Sequence, residues 1–565
     1  MTTPQGYQRQ SVVAPRISGA PLKLFVSALE SGLTSDTVLA KLVRDSGIEH
    51  FRSASAGHAS PIQVPLPLDA SAPAKQHEKT EVAAGAAALP EVALGMRFET
   101  IARFAEAYRE GTTDPVQVVR KLDGHITRLE NAPDLLALFI ARTQSQAVAA
   151  AEASAERLRK GQALSVLDGV PVVVKDELDV QGLPTTLGTK FMRTPAAKDS
   201  AVVARLKAAG AVIIGKANMH EIGINPVGVN PHHGACRNPY DRARITGGSS
   251  SGSAATVAAG LAPLSIGADG GGSIRIPAAL CGVVGLKATF GRIPETGVPP
   301  LCWNPGHVGP IGLTVADVAI GYALIAGPDD GDAVSWRQSA VHLSGLEDRS
   351  LKGLKLGVCR PYFDDADPDV VARCREALKA CTDAGAEVVE VPPPDLTVML
   401  WAHAIIILSE MATAMLPHTQ EDSSRFGPDA RTNLAIGRHF RATDLVHAMR
   451  HRHAITRQHL ELMKGIDAIV TPTTAITAPA INERSLPDGE SNLPMIDGLM
   501  RFIRLGNVTG FPGLSVPAGY DGAGLPVGVH FLGRPYQEHL LLKLGRVVEA
   551  AVQRRTPRHH VELLR

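Results

Sequence analysis

Three short segments of the chain bring together a primary amine, several hydroxyls and runs of unhindered backbone N–H groups, the parts from which acyl transfer is built. The stretch "TGGSSSGSAA" (246–255) packs four serines and three glycines into ten positions. It leads into "AATVAAGL", a compact helical pattern, so it reads as a helix N-terminus and not as a flexible linker. Helix N-termini attract anions, but a phosphate-binding loop needs G-x-x-x-x-G-K-[ST], and no lysine follows these glycines. In "GADGGGSIRIPA" (267–278) a short strand ends at Asp269, and Gly270, Gly271 and Gly272 lead into Ser273. That order sets a hydroxyl beside successive N–H groups able to hold an oxyanion. "DGVPVVVKDELDV" (168–180) ends a β-branched run on Lys175, which on pattern alone is most simply the first solvated residue past a buried strand.

A serine hydroxyl is a poor nucleophile until a base removes its proton, and no histidine lies at a familiar spacing to either loop. Lys175 is the only base that the three segments offer. A free lysine has a pKa near 10.4, so service as a base at neutral pH requires its ammonium to be disfavoured by roughly 3–4 kcal/mol. Burial behind "VPVVV" supplies this when no acid pairs tightly with the amine. Asp176 and Glu177 weaken the argument unless the strand points them away, as alternation does for Asp176.

Lys175, "GGSSSG" and "GADGGGSIRIPA" at this interval are identified as the pattern of the amidase signature family. "KLFVSALESG", "KDSAVVARLKAAGAVIIGKANMHEIG", "RNPYDRARITGGSSSGSAA", "IDAIVTPTTAITAP" and "LMRFIRLGNVTGFPGLSVPAGYD" resemble the plant-type branch of fatty acid amide hydrolases, over nearly the whole chain. The resemblance implies Ser273 as nucleophile, Lys175 as base and Ser249, held by an unusual cis peptide, as the relay between them. The backbone N–H groups of Gly270, Gly271, Gly272 and Ser273 would hold the oxyanion, and no metal or cofactor is called for. Ser250 is expected to hydrogen-bond Lys175, and Ser251 and Ser253 to cap or pack the helix they begin. Asp269 and Arg275 are expected to brace the glycine loop as an ion pair. In the family the stretch "HEIGINP" (220–226) lines the acyl side, which makes Ile224 and Asn225 the candidate substrate contacts. After its glycine this stretch departs from the small or hydroxyl residues of the plant pattern.

The elements that must position these groups read as α/β. From about residue 96 helices and short β-rich runs alternate, as in "SAVVARLKAAGAVIIGKANMH" and "DPDVVARCREALKACTDAGAEVVEV". The expectation is one catalytic domain over 96–565, a large mixed twisted sheet covered by helices on both faces, without a repeat of fixed period. Residues 1–95 form a separate arm. Within it, Leu22, Phe25, Val26 and Leu29, then Val38, Leu39, Leu42 and Val43, mark two short amphipathic helices. They need an apolar surface: the protein body, the twin subunit of a homodimer, or a lipid layer. Residues 53–95, rich in Ala, Pro and Ser, read as a loop or linker without a core of their own.

A net charge of +1 over 565 residues provides no long-range field for nucleic acid or an anionic membrane. No signal-peptide core is present at the N-terminus, and the apolar stretch "WAHAIIILSEMATAML" is interrupted by His403 and Glu410. The chain reads as cytoplasmic, with peripheral membrane contact falling to the arm. Its six cysteines lack C-x-x-C spacing and read as buried free thiols, Cys374 and Cys381 on one helix face. His447, His451 and His459, with Arg450 and Arg457, read as a solvated basic face and not as a metal site.

These readings converge on a serine amidohydrolase for N-acyl amides, fatty acid amides such as N-acylethanolamines first, with related esters as side substrates. A broad amidase for small aryl amides or carbamates is the second expectation. An amidotransferase subunit is the third, and a non-enzymatic binding protein the last.

Overall fold

The β-branched run that ends on Lys175 forms a strand buried at every position, with Val172, Val173 and Val174 fully excluded from water. A strand buried on both faces needs cover on both, and helices supply it. In the computed structural model, which describes residues 16–31, 34–45, 48–57, 59–60, 76–90, 98–131 and 135–565, this strand belongs to a sheet of eleven. In chain order the strands are β1 (Phe139–Arg142), β2 (Pro171–Lys175), β3 (Val212–Ala217), β4 (Leu264–Ala268), β5 (Val284–Lys287) and β6 (Val308–Gly312). They continue as β7 (Lys355–Val358), β8 (Glu387–Glu390), β9 (Ala468–Pro472), β10 (Gly513–Tyr520) and β11 (Pro526–Gly533). Their spatial order is β8, β7, β9, β11, β10, β5, β6, β4, β2, β3, β1.

The sheet is mixed. β2 runs parallel to both β3 and β4, whereas β6 lies antiparallel to β4 and to β5. Val174 pairs with Ile266, so Lys175 and the glycine loop after Ala268 leave the same edge of the sheet side by side. The helix Ser251–Ala258 packs against β4 and β2 with all eight residues buried. It sits so close that a Cβ on Gly252 would lie 2.3 Å from the Leu138 carbonyl oxygen. Parallel neighbours and one tightly seated helix therefore bring the three segments together at the C-terminal ends of β2 and β4.

The arm rests on the body. The helix Ala20–Glu30 buries Leu22, Val26 and Leu29, and Leu29 and Leu39 pack on Ala435 of the helix Pro428–His439. Arg431 Nε reaches Glu30 Oε1 at 3.0 Å. The second helix, Ser35–Asp45, forms where the spacing places it; the Val43 side chain lies outside the described residues. A third helix, Ile48–Ser53, inserts Ile48 and Phe51 against Val398, Ala402, Ile405 and Ile406. Arg52 clamps Asp444 through two hydrogen bonds of 2.9 and 2.8 Å.

Three expectations change. Residues 76–87, read as linker, form a helix that buries Ala83 and Ala86 and packs on the helix Val315–Ile325; 61–75 and 91–97 lie outside the described residues. An alanine-rich face needs only a close apolar neighbour to become a helix contact. His451 is buried because the arm covers that part of the face read as solvated, the Phe51 ring lying 5.1 Å from both His447 and His451, and His459 is buried further along the same helix. The interrupted apolar stretch becomes a 19-residue helix, Leu396–Ala414, long and apolar enough by composition to cross a membrane. Here it packs on the helices Pro428–His439 and Ala442–Leu462 with His403 and Glu410 buried. All six cysteines are free thiols, five buried and Cys302 partly exposed.

If the arm is integral to the fold, Phe51→Ala lowers unfolding stability by about 3–5 kcal/mol in urea titration. A change near zero would mean that the arm is a detachable appendage.

Candidate functional site

Lys175 ends β2 with its side chain 1 % exposed, and the contacts of its amine are with protein atoms. Nζ donates to Ser249 Oγ at 2.8 Å and to the Ala268 carbonyl at 3.3 Å. Ser249 follows a cis peptide bond from Gly248, as the resemblance implies. Asp176 is turned away, as alternation requires, and faces Lys216 Nζ at 3.1 Å. Glu177 is not: its Oε2 lies 2.7 Å from Lys175 Nζ. The expectation of an amine without a tightly paired acid is therefore overturned. β2 ends at Lys175, and the turn that follows, closed by the Leu178 N–H on the Lys175 carbonyl at 3.1 Å, brings Glu177 back beside the amine.

Ser250 also departs from expectation. Its hydroxyl donates to the Ala268 carbonyl at 3.1 Å and accepts from the Ala268 N–H at 3.3 Å, and it makes no hydrogen bond to Lys175 among the described residues. Lys175 and Ser250 thus meet the same carbonyl from two sides and fix the end of β4. Ser251 Oγ donates to the Asn218 carbonyl and Ser253 Oγ to that of Ile266, which packs the helix onto the sheet as expected.

The glycine loop is braced from below by Asp269 and Arg275, joined at 3.0 Å with both side chains fully buried. Burial opposes ionisation of Asp269. The Arg275 guanidinium and the hydrogen bonds from Arg275 and Asn507 outweigh it and hold this carboxyl well below the usual carboxylate range. Asp269 Oδ1 accepts the Gly272 N–H at 2.6 Å and Oδ2 that of Ile274 at 3.1 Å. Gly272 is thereby removed from the expected oxyanion hole, leaving the N–H groups of Gly270, Gly271 and Ser273, none of which is engaged within the described residues. Only glycine fits at 272: φ is +113°, and a Cβ would overlap Ile503 Cδ1 at 1.6 Å.

Two supports come from far along the chain. Asn507 Nδ2 donates to the Asp269 carboxylate at 2.9 Å and to its carbonyl at 3.0 Å. His403 Nε2 lies 2.8 Å from the Gly270 carbonyl; burial pushes its pKa down to about 4, so a neutral ring donates there and fixes the loop.

Ser249 and Ser273 both open on a cavity of about 190 Å³, walled mainly by Ile222, Leu301, Ile407, Met411 and Met500. No hydrogen bond joins their side chains among the described residues; in a site without substrate such contacts are commonly open. Ile224 and Asn225 stand in the cavity wall, where Asn225 Nδ2 is committed to Asp429 at 3.0 Å. The same carboxylate holds the His220 ring at 2.9 Å, and that histidine makes no side-chain bond to either serine among the described residues. A larger cavity of about 410 Å³ lies beyond Glu177 and Cys302, which border both.

Residues 122–542 match the family model described as Amidase. The chain belongs to the amidase family. It is 36% identical over 576 residues to the fatty acid amide hydrolase of Arabidopsis thaliana, with 96% of this chain and 94% of that one covered. It is 33% identical over 419 residues to a glutamyl-tRNA(Gln) amidotransferase subunit from Koribacter versatilis, covering 70% and 86%. Among solved structures, the native peptide amidase of Stenotrophomonas maltophilia matches with a TM-score of 0.70 at 26% identity, over 81% of this chain and 98% of that one. The α/β fold and the amidase hydrolase class expected from the sequence both hold.

The Asp269–Arg275 pair has a pH signature. An unfolded aspartate takes up its proton near pH 3.9, whereas Asp269 in the fold does so well below that. Its contribution is complete above about pH 5 and is lost as pH falls toward the folded value. Asp269→Asn should cost about 3–5 kcal/mol at pH 7, with the gap to the wild type narrowing below about pH 4 in urea titrations. An equal gap at both pH values would contradict this.

Proposed function

We propose that this amidase hydrolyses N-acyl amides through an acyl-enzyme on Ser273, with lipid amides such as N-acylethanolamines as its main substrates. The observation that carries the reading is the 2.8 Å contact between the buried Lys175 amine and Ser249, at the head of an apolar cavity that also holds Ser273.

Glu177, at 2.7 Å, is the nearest acceptor for a proton leaving the Lys175 ammonium. The neutral amine then takes the Ser249 proton as Ser249 takes that of Ser273, whose oxygen attacks the amide carbon. The N–H groups of Gly270, Gly271 and Ser273 hold the oxyanion. Ser249 returns a proton to the amine nitrogen, the C–N bond breaks, and water releases the acid from Ser273.

The similarity to a plant fatty acid amide hydrolase over 96% of the chain supports a lipid acyl group. The wall chemistry agrees, and Leu493, which borders the cavity and is 42% exposed, marks where a long chain would continue outward. The cavity size favours a second reading: at about 190 Å³ it is less than half the neighbouring space of about 410 Å³. On that reading the enzyme is an amidase for small aryl amides.

A panel of amides from acetyl to palmitoyl separates the two. The lipid reading predicts kcat/KM rising with chain length; a maximum at acetyl to butyryl would overturn it. In the same assay Ser273→Ala abolishes turnover and Lys175→Ala lowers it by roughly three orders of magnitude or more. Hydrolysis by the purified chain alone sets aside an amidotransferase subunit that depends on a partner.

A further inference from the structure

Arg504 borders the same cavity and is held more loosely than three other buried arginines. Arg275 is saturated by Asp269, Asn507 and the Ile503 carbonyl, Arg292 by Tyr322, Gln338 and two carbonyls, and Arg452 by Asn304 and the Val508 carbonyl. Arg504 is 6% exposed, and its guanidinium makes no hydrogen bond among the described residues. Its one ion-pair partner, Asp497 Oδ1, stands 3.6 Å away, beyond hydrogen-bond length. The other oxygen of that carboxylate, Oδ2, is held by Arg501 at 3.0 Å. Arg504 lines the cavity together with His403 and Met500. A planar cation with five donors, set in a wall whose other charged groups, Lys175 and Glu177, pair with each other, gains from an acceptor that arrives from the cavity.

We propose that Arg504 is an acyl-recognition residue: the preferred acyl group carries an oxygen acceptor, best a carboxylate, that meets this guanidinium inside the cavity. The inference rests on the amidase reading above and narrows its substrate from a plain alkyl chain to one bearing an anionic or strongly accepting oxygen. Carboxylate matches best because the guanidinium fork offers two parallel donors to its two oxygens. A purely alkyl chain on this wall would leave the donors dry.

The test compares p-nitroanilides of n-alkanoic acids with mono-p-nitroanilides of α,ω-dicarboxylic acids of equal chain length, from four to twelve carbons. At one or more lengths the wild type should favour the carboxylate member by about ten-fold or more in kcat/KM, mainly through KM. Arg504→Met should remove that preference, lowering kcat/KM for the carboxylate series more than for the alkanoyl series, and Arg504→Lys should restore part of it. In wild-type enzyme, the free dicarboxylic acid of the preferred length should inhibit hydrolysis of the alkanoyl substrate more strongly than the matching alkanoic acid does. Preference for the alkanoyl member at every length would overturn the proposal and leave the amidase reading standing, as would a loss of turnover in Arg504→Met that is equal for both series. Absence of hydrolysis across the whole panel would overturn the amidase reading itself.

Discussion

A lysine amine sealed from water must find every partner among protein atoms, and much of the local structure follows from serving Lys175. Its place at the end of β2 sets it beside the end of β4, so the Ala268 carbonyl is one partner. The helix seated through Gly252 delivers Ser249 as the second. Glu177, two residues on in the turn that follows β2, is the third. Such an amine is a proton carrier with a fixed address: its proton can go to a carboxylate or come from a hydroxyl, with no water required between them.

The second demand is that the loop carrying Ser273 stay fixed while charge develops in front of it. Oxyanion stabilisation depends on donors held in place before the reaction, since reorganising them would forfeit the gain. The buried Asp269–Arg275 pair serves this by binding the loop from beneath and by taking the Gly272 N–H out of the site. His403 and Asn507 add fixed contacts at the Gly270 and Asp269 carbonyls. A buried pair costs desolvation, and its value here is geometric: three N–H groups are left over at the cavity wall.

Much of this was legible in the sequence because it is local. The three segments, the Ser251–Ala258 helix and the ion pair six residues apart all lie within motifs of a dozen residues, and the cis peptide was implied by the family resemblance. Glu177 was not legible, since strand alternation stops at Lys175 and the turn that follows decides where residue 177 points. What no short motif carries is contact across the chain. His403, Asn507 and Arg504 arrive from elements more than a hundred residues beyond Ser273, and the cover that the arm lays over His451 spans almost 400 residues. The commitment of the Gly272 N–H to Asp269 is local, yet it depends on a positive φ that three successive glycines leave undetermined.

The central claim is that Ser273, activated through Ser249 and Lys175, is the nucleophile. Intact-protein mass spectrometry after reaction with an alkyl fluorophosphonate, followed by peptide mapping, tests it most directly. The account predicts a single adduct on the peptide containing Ser273, formed in step with loss of amidase activity and greatly slowed in Lys175→Ala. An adduct on Ser249 or on any other serine, or full activity after labelling of Ser273, would contradict it.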